Sequence, residues 1–96
     1  MAYRIASKLT FSPAWGAMDA EERLAEQVAA IEIVAANGGA FEGQWVLWSD
    51  GVLLSIVSYP DLESSVRSEM AIQARGAFEL SSQSALTLEE ITALQP

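Results

Sequence analysis

Twice along this chain a period-two pattern gives way to a period-3.6 pattern, and that order restricts the fold more than any bulk property does. Tyr3 to Phe11 alternates, with Tyr3, Ile5, Ser7, Leu9 and Phe11 on one side and Arg4, Ala6, Lys8 and Thr10 on the other. One apolar side opposite one polar side describes a half-buried strand. Ser12-Pro13 breaks the run, and Ala14 to Met18 reads as irregular chain. Asp19 followed by Glu22 has the spacing of a capping box, and Asp19, Glu21 and Glu22 put negative charge where a helix dipole favours it. The pattern predicts a helix from there to Ala36, with Leu24, Val28, Ile31 and Ala35 as its apolar stripe. Asn37-Gly38-Gly39 ends it, because glycine enters the left-handed C-cap conformation without a Cβ penalty.

The second half repeats the order. Phe41 to Trp48 alternates, which places Phe41, Gly43, Trp45 and Leu47 on one face and Glu42, Gln44, Val46 and Trp48 on the other. Ser49-Asp50-Gly51 is a tight-turn signal. Val52 to Val57 is apolar on both faces, as in a central strand. After Pro60, Asp61 can cap a second helix in which Leu62, Val66, Met70 and Ala74 recur, closed by Arg75-Gly76. Ala77 to Thr87 is a serine-rich strand anchored by Phe78 and Leu80, and Leu88 to Leu94 a short terminal helix. The fold class is therefore α+β: a ferredoxin-like β-α-β-β-α-β unit with a four-stranded antiparallel sheet, two helices on one face and a C-terminal helix.

One single domain, residues 1–96, can supply its own core, since 51% of the chain is hydrophobic. The absence of cysteine and histidine excludes disulfides, zinc fingers, thiol nucleophiles and the commonest general base. Metal binding is not expected, because only oxygen ligands remain and no calcium-loop motif occurs. No cofactor is expected either: no glycine-rich phosphate loop follows a strand, and haem or redox chemistry would need unusual ligation. Thirteen acidic against five basic residues, a formal charge of −8, argue against nucleic acid and against anionic membranes as partners. Without a signal-like or membrane-spanning run, a cytoplasmic location is expected.

The short segments carry a resemblance. Phe11 to Gly16, Asp19-Ala20-Glu21-Glu22-Arg23-Leu24 and Asn37-Gly38-Gly39 resemble the opening of GYD-domain proteins, a family of small bacterial proteins. Tyr59-Pro60-Asp61 resembles their junction between third strand and second helix, and Leu86-Thr87-Leu88-Glu89-Glu90 their ending. The Gly-Tyr-Asp triplet itself is replaced in the hairpin by Ser49-Asp50-Gly51-Val52. The resemblance implies a ferredoxin-like subunit that forms dimeric α/β barrels or larger assemblies. It implies no settled activity.

Helices on one face of the sheet leave the other face to be explained. Arg4 and Lys8 are expected there with Glu42, Gln44 and Trp48, beside an apolar centre from the third strand, either Leu53, Val57 and Tyr59 or Val52, Leu54 and Ile56. Such a patch marks an interface or a ligand surface, and homodimerisation through it is expected. Candidate ligand-contacting residues are Arg4, Lys8, Trp15, Glu42, Gln44 and Trp48. Glu42 would become a base if dimerisation buried it, or else forms an ordinary cross-strand pair. Trp15, in a loop, would cap a pocket, plug the core or anchor a subunit; Trp45 is expected in the core. Arg23 would pair with Glu26 or Asp19, or hold a carboxylate of a substrate. Catalytic residues are not identified. The leading reading is a homo-oligomeric binding or assembly module without catalysis of its own. The alternative is a small-cavity enzyme, monooxygenase- or isomerase-like, working on a small organic molecule between the sheet and its partner.

Overall fold

The computed structural model describes residues 3–95. Its elements run β1 (Tyr3–Phe11), α1 (Pro13–Gly16), α2 (Ala20–Ala36), β2 (Ala40–Leu47), β3 (Val52–Tyr59), α3 (Leu62–Ala74), β4 (Phe78–Ser84) and α4 (Leu88–Ala93). The strands form one four-stranded sheet in the order β2-β3-β1-β4, antiparallel at every pair. This is the expected ferredoxin-like α+β arrangement, with α1 added where Ala14 to Met18 read as irregular. Pro13 begins that short turn under a cap from Ser12, whose hydroxyl accepts from the Trp15 N–H.

The long helices start where their caps dictate. Asp19 accepts from the Glu22 N–H at 2.8 Å, and Glu22 accepts in return from the Asp19 N–H at 3.3 Å. Asp61 accepts from the Ser64 N–H at 2.7 Å, and that backbone bond holds its carboxyl below the usual carboxylate range. At the end of α2, Gly38 takes the left-handed conformation at φ 76°.

The core lies between the sheet and the helices: Ile5 and Leu9 of β1, Val34 of α2, Val57 and Tyr59 of β3, Ile72 of α3, then Ala77 and Phe78. The cross-strand partners Ile5–Val57 and Leu9–Leu53 fix the helix-facing side of the central strands. The open side of β3 therefore carries Val52, Leu54, Ile56 and Ser58, the second of the two expected sets.

Three expectations about facing are corrected. A β-bulge between Phe41 and Gly43 reverses the alternation of β2. Phe41 pairs with Val57, and Gln44 with Ser55, so both face the helices; Gly43, Trp45 and Leu47 share the open side with Ile56, Leu54 and Val52. Trp45 is thus 53% exposed on the open face and outside the core, its indole over Gly43. The apolar stripes of both helices are also misassigned. Leu24, Val28 and Ile31 are exposed, as are Leu62, Val66 and Met70. Helix α3 instead buries Ser64, Ser65, Ser68 and Ile72. Small serine side chains let α3 come close to β1, β3 and β4, and the Ser65 hydroxyl is satisfied by donating to the Leu62 carbonyl at 2.7 Å. Helix α2 rests on α3 through Arg75, whose guanidinium donates to both oxygens of Glu26 at 2.8 and 3.0 Å. That contact holds the Glu26 carboxyl below the usual range.

Candidate functional site

Because α3 sits low on the sheet and α2 leans on α3, a cavity of about 190 Å³ is left between α2 and the strands. Its floor is the helix-facing side of all four strands: Ser7 and Leu9 of β1, Phe41 and Gln44 of β2, Leu53, Ser55, Val57 and Tyr59 of β3, Phe78 and Leu80 of β4. Gln27, Ala30, Ile31 and Val34 of α2 form its roof, and Glu69 and Ile72 of α3 its wall. The exposed lining residues, Gln27, Ile31, Phe41 and Gln44, belong to α2 and the edge strand β2, so the mouth lies between those two elements. Leu9, Val34, Ile72 and Phe78 of the lining are buried.

The polar groups of this cavity are few and mostly satisfied. The hydroxyls of Ser7 and Ser82 are 2.8 Å apart across β1 and β4. Gln44 Nε2 donates to Ser55 Oγ at 3.3 Å. Burial pushes the Tyr59 phenol above its ordinary pKa, and the nearby Glu69 carboxylate adds to the shift. Glu69 differs from the rest: its Oε1 is buried and has no hydrogen-bond partner among the described residues. Such an atom forfeits its hydration without compensation unless something donates to it.

The six residues singled out from the sequence do not form one site. Arg4, Lys8 and Glu42 share the open face of the sheet. Arg4 Nε donates to Glu42 Oε2 at 2.7 Å, and Arg4 Nη1 donates to Glu90 Oε1 at 2.9 Å and to the Ala85 carbonyl at 3.4 Å. Arg4 thus clamps β2, β1 and α4 together. Gln44 lies on the opposite face, inside the cavity. Trp48, just beyond β2, is 90% exposed. Trp15 stacks on Phe11 at 4.6 Å and meets Phe78 at 5.1 Å, closing the end of the core. Arg23 caps that cluster, its guanidinium carbon 5.7 Å from the indole centroid. It donates to the carbonyls of Trp15 and Gly16 at 3.1 and 3.3 Å instead of to Glu26 or Asp19.

Glu69 and Tyr59 were not legible as site residues. Tyr59 stands in a strand-ending motif and in one of the two sets considered for the open face, and Glu69, between Ser68 and Met70, lies off the apolar stripe of its helix. The one available signal was the spacing of Ser65, Ser68, Glu69 and Ile72 on one helical side. Among the described residues no group of three Asp, Glu, His or Cys side chains is placed to hold a metal ion. No helix among them is long and apolar enough to cross a membrane.

No protein-family model matches the chain, and no curated protein matches it. Among solved structures the chain is similar to a mutant chlorite dismutase from Candidatus Nitrospira defluvii, at 13% identity and a TM-score of 0.63. That likeness covers 96% of this chain and 43% of the other, so the chain spans less than half the length of its structural neighbour. At this identity the likeness shows the fold, the ferredoxin-like arrangement described above.

Proposed function

We propose that this protein is a binding module that holds one small, mainly apolar organic molecule between α2 and the sheet and associates with a second copy through the open sheet face. The cavity carries the reading: Leu9, Val57, Phe78 and Leu80 offer a molecule an apolar bed, and Ser55, Gln44 and Glu69 offer a few orienting polar atoms. Its size suits a single-ring compound, since an apolar cavity of about 150 Å³ is enough to bind benzene. Binding without catalysis fits a chain that contains neither histidine nor cysteine and whose cavity carries one carboxylate.

Assembly is supported by the other face. Trp45, Val52, Leu54 and Ile56 form an apolar centre on the side of the sheet opposite the cavity. Lys8 and Glu79 lie on that same face, on neighbouring strands. A two-fold axis can pair such opposite charges across two copies while the apolar centres meet. The GYD-domain resemblance implies the same dimeric α/β barrel. The likeness to chlorite dismutase contributes the fold and no activity.

Toluene tests the cavity. It should stabilise the protein against heat, at roughly 4–8 °C per kcal/mol of binding linkage for a domain of this size. Ala30→Phe, which fills the roof, should abolish the shift. An unchanged melting temperature in the wild type at saturating aqueous toluene contradicts the reading.

A further inference from the structure

We propose that the molecule bound in this cavity is a primary amine on an apolar body of about one aromatic ring, with the ammonium group held by Glu69; this rests on the cavity being the binding site. Among the described residues Glu69 is the one carboxylic or basic side chain that lines the cavity. Tyr59, the other titratable lining group, stays a neutral phenol because burial raises its pKa. Glu69 lines the cavity, and a carboxylate oxygen can only accept. The complementary group is therefore a donor, and a cationic donor matches the carboxylate in charge as well as in hydrogen bonding.

The surroundings narrow the class further. Neither Lys nor Arg lines the cavity. The cations near α3 are committed elsewhere, Arg75 to Glu26 and Arg67 to Glu63. An anionic ligand would thus meet a carboxylate with no counter-charge. The formal charge of −8 creates a field that draws cations and repels anions at long range. Beyond Glu69 the walls turn apolar at Ile72, Val57 and Phe78, which suits a hydrocarbon body, while the polar lining residues Gln27, Gln44 and Ser55 are uncharged.

Calorimetric titration with benzylamine, benzyl alcohol and toluene, on the wild type and Glu69→Gln, tests this. These ligands share a ring and differ in the group offered to Glu69. Benzylamine should bind the wild type at least about tenfold more tightly than toluene or benzyl alcohol. Glu69→Gln should remove that preference and leave toluene affinity unchanged. Toluene or benzyl alcohol binding as tightly as benzylamine overturns the amine proposal while the cavity reading stands. A preference that survives in Glu69→Gln overturns the role of Glu69. If neither benzylamine nor toluene binds, the cavity reading itself fails.

Discussion

Arg4 and Glu42 meet at 2.7 Å across the open face of the sheet, although β3 runs between their strands. The bulge leaves both Glu42 and Gly43 on the open side, where regular alternation allows only one. The same guanidinium holds Glu90 at 2.9 Å, so one side chain ties the sheet edge to α4. Arg4→Ala should therefore free α4: amide exchange from Glu90 to Leu94 should speed up while β1 and β3 stay protected. Lowering the pH should reduce the protection of α4 in the wild type as well, once the slower intrinsic exchange in acid is divided out. The Thr87 N–H foremost, then Arg4, holds the Glu90 carboxyl below its ordinary range. A depressed carboxyl contributes stability above its unfolded pKa, and that contribution is lost as the pH falls through the folded value. Exchange in α4 that ignores both Arg4→Ala and acid contradicts the clamp.

Gly39 has a structural task distinct from that of Gly38. A Cβ at Gly39 would lie 2.5 Å from Val34 Cγ1, 2.8 Å from Tyr59 Cε1 and 2.9 Å from the Val34 carbonyl oxygen. Backbone and core side chains crowd it together, so no flexible tip can yield. Gly39→Ala should cost about 1–3 kcal/mol, the range for overpacking a core. Urea denaturation measures it, and a neutral result would contradict the close packing of α2 onto β3 at this point.

The buried side of α3 can be tested by a pair of truncations. Ile72 is buried and Met70 exposed. Ile72→Ala should cost about 2–5 kcal/mol, and Met70→Ala should stay within about 0.5 kcal/mol. The opposite order would restore the stripe of Leu62, Val66 and Met70 as the core face.

The order of strands and helices along the chain and the helix caps were legible because each depends on neighbours in sequence: alternation in β1, Asp19 with Glu22, Asp50-Gly51 in the hairpin. The facing of β2 was not. One extra residue at Glu42 leaves the alternation of Phe41 to Leu47 looking unbroken, yet flips everything after it. Gly43 inside a strand was the local hint. The helix faces misled for another reason. Hydrophobic periodicity names the most apolar side, whereas α3 packs by its smallest side, Ser64, Ser65 and Ser68, because close approach favours small residues. The cavity follows from that choice, and so Glu69 and Tyr59 were invisible as site residues.

Assembly through the open face predicts a clear variant effect. Leu54 lies at the centre of that face, between Lys8 of β1 and Trp45 of β2. In sizing chromatography the wild type should run as a dimer or larger at micromolar concentration, and Leu54→Asp as a folded monomer, since a buried unpaired carboxylate opposes association. A monomeric wild type contradicts the assembly.

The proposed function places a small apolar molecule between α2 and the sheet. Intermolecular NOEs from toluene to methyl-labelled protein test it most directly. NOEs are expected to the methyls of Val34, Val57 and Ile72, which line the cavity. NOEs confined to Val52, Leu54 and Ile56, on the opposite face of the same sheet, would contradict it.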